Sequence, residues 1–261
     1  MMAQVRLHVH EFGPGAGRTV VALHGVTGTG RGLVRLADRL PEFRVVAPDL
    51  RGHGASTKEP PWDISMHLRD LRETLDAMGI SRAPFIGFSF GGRLAVELLA
   101  ADRSRVEKLV LLDPALRIPP GPAAAGADAL LTENSFGSKE EAIEQRIASG
   151  LAPYAPLEHW DRWSEQLVTG DDGRLRMPFS RAAAITIYSE MTTPPPPFAS
   201  LRIPTLLIVG AESKLVTPGQ IERYKYELGD FLEVRTVRAK HQLIADAADE
   251  VAAAIATFLA R

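Results

Sequence analysis

Residues 83–100 read APFIGFSFGGRLAVELLA, and the folding of this stretch decides how the rest of the chain is read. Its first six residues are a short apolar run, as expected of a strand covered on both faces. From Gly91 onward the apolar residues recur at helical spacing. Between the two, Gly87-Phe88-Ser89-Phe90-Gly91 matches G-x-S-x-G. A serine at so sharp a strand-to-helix turn has its hydroxyl pushed clear of the sheet, and small neighbours permit the tight backbone. The positive end of the following helix favours negative charge developing beside it. In isolation the motif also reads as a serine N-cap in a glycine-rich turn; the strand before it and the helix after it weigh against that.

The same alternation extends in both directions. Short apolar or β-branched runs at 19–25 (TVVALHG), 43–49, 107–113 (EKLVLLD) and 203–210 (IPTLLIVG) predict buried parallel strands. VRLHVHEF (5–12) and FLEVRTV (231–237) alternate apolar and polar residues and predict strands nearer an edge. Helical stripes fall between them at 64–79, 91–102 and 249–260. Alternating β and α segments predict an α/β fold with helices on both faces of the sheet. The rhythm breaks over 114–200, which begins with RIPPGPAAAGA and ends with TTPPPPFAS. Helix signals lie inside it, including a capping box of Ser138 and Glu141, and DDGR (171–174) predicts a turn. This segment is expected to be a mostly helical insertion with proline-rich hinges.

The chain has 261 residues, 45% of them hydrophobic and 24% charged, with a formal net charge of −2. No basic field is present to recruit nucleic acid or anionic lipid, so a neutral or apolar small molecule is the expected partner. Cysteine is absent, which excludes disulfides, thiolate nucleophiles and cysteine-ligated metals and fits a reducing compartment. The first residues, MMAQVRLHVHEFG, have no apolar signal core. No apolar run reaches the roughly 18 residues of a membrane helix. A cytoplasmic location without a transmembrane segment is expected.

Three stretches together, LHG (23–25), DLRGHGAS (49–56) and GFSFGG (87–92), resemble the α/β-hydrolase superfamily in order and spacing. With VRLHVHEFGP, LHGVTGTG and LVLLDPA they resemble its small bacterial lipase- or esterase-like members. The resemblance spans nearly the whole chain. It implies the α/β-hydrolase fold, a mostly parallel sheet flanked by helices. Residues 1–113 and 201–261 would form the core and residues 114–200 a helical cap.

Chemistry at Ser89 needs a base and two oxyanion donors. The amide after the serine, Phe90, and the amide of Val26 in the loop after TVVALHG are the expected donors. HGVTGTG lacks the lysine and Ser/Thr of a phosphate-binding loop, which disfavours nucleotides. Of seven histidines, His8 and His10 are read as a solvated strand face rather than a metal pair. His24 and His53 lie in turns that the superfamily uses structurally, His67 lies in a helix and His159 in the insertion. His241, between the last strand and the C-terminal helix, stands where the superfamily has its catalytic histidine. Lys240 precedes it, where glycine is common.

The acid must orient the imidazole. IVGAESKLVTP (208–218) is the loop in which the superfamily usually has an aspartate three residues past the glycine; here that residue is Ser213, preceded by Glu212. Asp113, at the end of EKLVLLD, leaves the sheet at the same end, and some α/β-hydrolases place their acid there. Asp113 is the favoured acid and Glu212 the alternative, although Asp-Pro is also a common strand-ending turn.

On the substrate side, Trp160 and Trp163 lie about one turn apart, positioned to line an acyl pocket or to pack the insertion onto the core. Arg93 sits in the first turn of a helix, where a cation opposes the dipole. Its partner is an internal carboxylate or a substrate carboxylate. The second option draws on the resemblance of GFSFGGR to the menaquinone-pathway lyase of this superfamily. The expected function is a serine hydrolase cleaving carboxylic esters of small to medium acyl chains through an acyl-enzyme, with no metal or organic cofactor. The alternatives are a C–C bond hydrolase or lyase using Arg93, and a non-catalytic ligand-binding member of the fold. The second alternative is motivated by the departures at Ser213 and Lys240.

Overall fold

Apolar side chains pointing alternately to both faces of the central strands draw helices onto each face. The computed structural model describes residues 6–132, 135–198 and 201–261. Residue 5 of the expected first strand, and residues 133–134 and 199–200 of the expected insertion, lie outside the described residues. The strands are β1 (Val9–Phe12), β2 (Arg18–Leu23), β3 (Phe43–Pro48), β4 (Ala83–Phe88) and β5 (Val106–Leu112). A short hairpin, β6 (Val168–Thr169) and β7 (Leu175–Arg176), follows, then β8 (Thr205–Gly210) and β9 (Leu232–Val237). The helices are α1 (Val34–Ala37), α2 (Ile64–Ala77), α3 (Phe90–Ala101), α4 (Pro120–Asp128), α5 (Lys139–Ala148), α6 (Leu157–Ser164), α7 (Arg181–Glu190), α8 (Pro218–Leu228), α9 (Leu243–Asp246) and α10 (Ala248–Ala260).

The main sheet has seven strands in the order β1-β3-β2-β4-β5-β8-β9. All pairs are parallel except β1 with β3. The two alternating segments of the sequence, β1 and β9, are the two edges. On one face Val21, Leu23, Phe85, Leu109, Leu111 and Leu207 pack under α2, α3 and α8. On the other, Val20, Ala22, Ile86, Val110, Leu206 and Ile208 pack under α1, α9 and α10. Burial on both faces is the physical reason that β2, β4, β5 and β8 are written as continuous apolar runs.

Four helices, α4 to α7, and the β6–β7 hairpin lie between β5 and β8. The turn at DDGR joins the two hairpin strands. Ser138 caps α5 through the Glu141 amide at 3.2 Å, but the expected box is half formed, because the Glu141 carboxylate takes the Gly137 amide instead. A complete capping box forms where none was expected, between Thr217 and Gln220 of α8. Among the described residues no helix is long and apolar enough to cross a membrane.

Candidate active site

The carboxyl ends of β4, β5 and β8 bring three loops together. Ser89 stands between β4 and α3 with φ 54° and ψ −117°. Asp113, directly after β5, has φ 40°. These two are the non-glycine residues with positive φ among the described residues, a conformation that costs on the order of 1–3 kcal/mol and persists only where the surroundings enforce it. The turn at Ser89 requires Gly91: a Cβ there would fall 2.2 Å from the Leu23 carbonyl oxygen. Gly210 has the same necessity at the end of β8, where a Cβ would fall 2.4 Å from the Lys240 carbonyl oxygen. That close approach sets the His241 loop against the sheet.

Ser89 Oγ lies 3.0 Å from His241 Nε2, and His241 Nδ1 lies 2.6 Å from Asp113 Oδ2. Asp113 is fully buried, while the His241 side chain is about a third exposed at 34%. With Nδ1–H donating to the carboxylate, Nε2 is left as the acceptor for the serine hydroxyl. The Phe88 ring stacks on the imidazole, 4.9 Å between centroids. Ser213 does not vacate the chemistry. Its hydroxyl donates to the same Asp113 Oδ2 at 2.5 Å. Asp113 Oδ1 is buried with no partner among the described residues. Glu212, the alternative acid, points elsewhere and accepts from the Tyr154 hydroxyl.

Val26 lies in the loop after β2 and lines the same cavity as Ser89 and His241; Phe90 opens α3. Buried polar side chains hold the Val26 loop. His24 accepts from the Leu50 amide at Nε2 (3.0 Å) and donates from Nδ1 to the Gly25 carbonyl (2.8 Å). Burial, reinforced by the neighbouring His53, lowers the His24 pKa to about 3, so it is a neutral strut. His53 Nε2 sits 2.5 Å from the Val26 carbonyl oxygen. Asp49 accepts from the Gly30 amide (2.7 Å) and the Ala55 amide (2.9 Å). Burial alone would raise the Asp49 pKa, but hydrogen bonds from His10 and these amides outweigh it and hold it at about 2. His8, His10 and Asp49 come together at the β1 edge, with ligand atoms within 4.8 Å of one another. Both Asp49 oxygens are already taken by backbone amides, which fits a loop anchor better than a metal ligand.

The cavity above Ser89 has a volume of about 710 Å³. Trp160 and Trp163 both line it, with rings 6.3 Å apart and nearly perpendicular at 80°. Trp160 also packs against Ala152 and against Ala245 of α9, so that ring both faces the cavity and contacts the C-terminal part of the chain. Arg93 is a correction to the substrate-carboxylate option: its side chain is 2% exposed and bound to Glu97 at 2.8 Å. Its remaining donors go to the Leu116 and Thr193 carbonyls, Thr193 Oγ1 and the Pro194 carbonyl. Those acceptors lie in the segments after β5 and after α7, so Arg93 fastens both to α3. Lys240, the other departure, spans to the insertion through the Gly150 carbonyl at 2.8 Å. Asp246 accepts from both the Lys240 and Tyr154 amides. Neither tie had a local signature in the sequence, because each joins residues about ninety positions apart.

The sequence model of the alpha/beta hydrolase fold matches residues 18–136. Lipase LipV of Mycobacterium tuberculosis is 35% identical over 187 residues, covering 72% of this chain and 72% of that protein. Esterase YbfF of Escherichia coli is 35% identical over 112 residues, 42% of each chain. The crystal structure of E-2-(acetamidomethylene)succinate hydrolase superposes with a TM-score of 0.84, covering 98% of this chain and 95% of that one. At 22% identity, this last is a likeness of fold alone.

Proposed function

Because the chain belongs to the α/β-hydrolase fold family, we propose that it is a serine hydrolase cleaving carboxylic esters of small to medium acyl chains through an acyl-enzyme. The observation that carries this reading is the continuous hydrogen-bonded line Ser89–His241–Asp113, at 3.0 and 2.6 Å, opening into a largely apolar cavity. Ser89 Oγ attacks the ester carbonyl as His241 Nε2 takes its proton. Asp113 Oδ2 holds the Nδ1–H, fixing the tautomer and stabilising the imidazolium. The Val26 and Phe90 amides donate to the oxyanion. His241 then gives its proton to the departing alcohol. Water, deprotonated by the same nitrogen, frees the acid and restores Ser89. Residues 114–200 act as the cap that roofs the cavity, and the names of LipV and YbfF agree with an ester substrate.

A fluorophosphonate should label the protein at Ser89 and fail to label Ser89→Ala. On nitrophenyl butyrate, Asp113→Asn should lower kcat by about 100-fold or more, and Glu212→Gln should leave it within about threefold. Absence of labelling would favour a ligand-binding member of the fold. Equal rates for Asp113→Asn and the parent would remove Asp113 from the triad. The C–C hydrolase or lyase reading loses its carboxylate binder, since every Arg93 donor direction is taken within the chain.

A further inference from the structure

The cavity wall carries a cation that no carboxylate among the described residues pairs with. Arg146, on α5, lines the cavity that also holds Ser89 and His241. Its guanidinium lies over the Trp163 ring, 4.9 Å from the centroid. Trp163 is itself part of the same wall. The positions three and four residues to either side on the helix are Ala142, Ile143, Ser149 and Gly150, so α5 itself offers no carboxylate at pairing distance. No described residue forms an ion pair or hydrogen bond with the Arg146 side chain, and its pKa is lowered by burial alone. The other cavity arginines differ: Arg176 is paired with Asp172 at 2.8 Å, and Arg181 donates to the Leu131 carbonyl at 3.0 Å. His159, also on the wall, has its pKa pushed to about 4, by burial first and by Arg35 second. It is neutral at pH 7 and does not share the positive role.

A guanidinium carries five N–H donors and no acceptor, so a half-buried one facing a cavity without protein partners has its donors available to the oxygens of a ligand. Its planar fork matches a carboxylate in two parallel hydrogen bonds. Contact with the face of Trp163, 4.9 Å from its centroid, restricts where the fork can sit. We propose that Arg146 is the binding site for a carboxylate carried by the substrate, remote from the scissile ester. The preferred substrates are then esters with one free carboxylate, rather than plain alkanoates. This rests on the ester-hydrolase reading above and narrows its substrate class. The carboxylate arrives on either the acyl or the alcohol side, and the two sides are separable by experiment.

Binding and turnover together test the proposal. In Ser89→Ala, which cannot turn over, monomethyl adipate should bind at least tenfold more tightly than dimethyl adipate, read by calorimetry and by Trp fluorescence. Arg146→Gln on that background should abolish the difference, and Arg146→Lys should retain part of it. In the active protein, kcat/KM for mono-nitrophenyl adipate and suberate should exceed that for the matching methyl-capped diesters. Arg146→Gln should lower kcat/KM for the anionic esters about 10- to 100-fold and change the neutral ones less than about threefold. The same comparison between 4-carboxyphenyl butyrate and its methyl ester reports an alcohol-side carboxylate. Equal binding of charged and neutral esters overturns the inference while leaving the hydrolase. So does an equal loss for both in Arg146→Gln, the mark of a packing role. Discrimination in binding with no turnover of any ester overturns the hydrolase and leaves the carboxylate site.

Discussion

In the sheet, β4 and β5 bury Phe85, Ile86, Leu109 and Val110 within two apolar clusters; where the insertion meets the rest, polar pairs recur. Thr29 bonds Gln166, Arg31 bonds Glu165, Lys240 bonds Gly150, and Arg93 grips Thr193 and Pro194. Apolar contact is not absent there, since Trp160 packs against Ala245, but charged and hydroxyl groups do much of the joining. Apolar burial is non-directional and resists any loss of volume. A polar tie is directional, can be replaced singly, and on an exposed surface contributes little. The difference teaches why the core can hold Ser89, His241 and Asp113 in register while the cavity wall can vary residue by residue, at positions such as Arg146.

The comparison breaks or sharpens at four places. Phe85→Ala empties a fully buried site and should destabilise by about 3–5 kcal/mol in chemical denaturation; a loss under 1 kcal/mol would mean the core is not the stabilising unit. Arg93→Met is the exception among the ties, because the side chain is buried at 2% exposure. It leaves Glu97 and the hinge carbonyls without their donor, so a loss of about 3 kcal/mol is expected, with faster proteolysis between residues 114 and 120 or 192 and 198. Little change in either readout would separate the hinges from core stability.

Acid should weaken the core side next. Burial lowers the pKa of His24 and of His67 to about 3 and lowers that of His53 as well. Each is neutral when folded and takes a proton when unfolded, once the pH drops below the ordinary histidine value of about 6.5. Stability is therefore full above that pH and falls as pH drops toward the folded value, by on the order of 1–2 kcal/mol for each of His24 and His67 at pH 5. His67 has both ring nitrogens buried without hydrogen-bond partners among the described residues, so His67→Leu should flatten the acid limb of a Tm-against-pH curve by one histidine's share. An unchanged limb would refute its neutral burial. The smallest effect belongs to Arg31→Ala, which removes an ion pair whose side chains are 51% and 55% exposed. A change below about 1 kcal/mol is expected from thermal unfolding; a larger one would put surface pairing on a level with the core.

The parallel strands were legible because burial on both faces leaves continuous apolar runs, and the edge strands because burial on one face leaves alternation. Ser89 was legible because its turn demands small residues at fixed offsets. Lys240 reads as a departure from the superfamily pattern and Glu212 as the alternative acid; in the structure one bonds Gly150 and the other Tyr154. A contact across sixty to ninety residues leaves no periodic trace in the chain, so it could not be read locally.

The alternation of strands and helices and the serine at the β4–α3 turn follow from the chain itself, since local apolar patterning and turn chemistry act over a few residues. Only the tertiary structure brings Asp113 Oδ2 within 2.6 Å of His241, sets Ser213 on the same oxygen and turns Glu212 toward Tyr154. It also encloses Arg93 among the Leu116 and Thr193 carbonyls and sets Arg146 on the cavity wall. Both arrangements depend on which distant groups share a space, and only packing decides that.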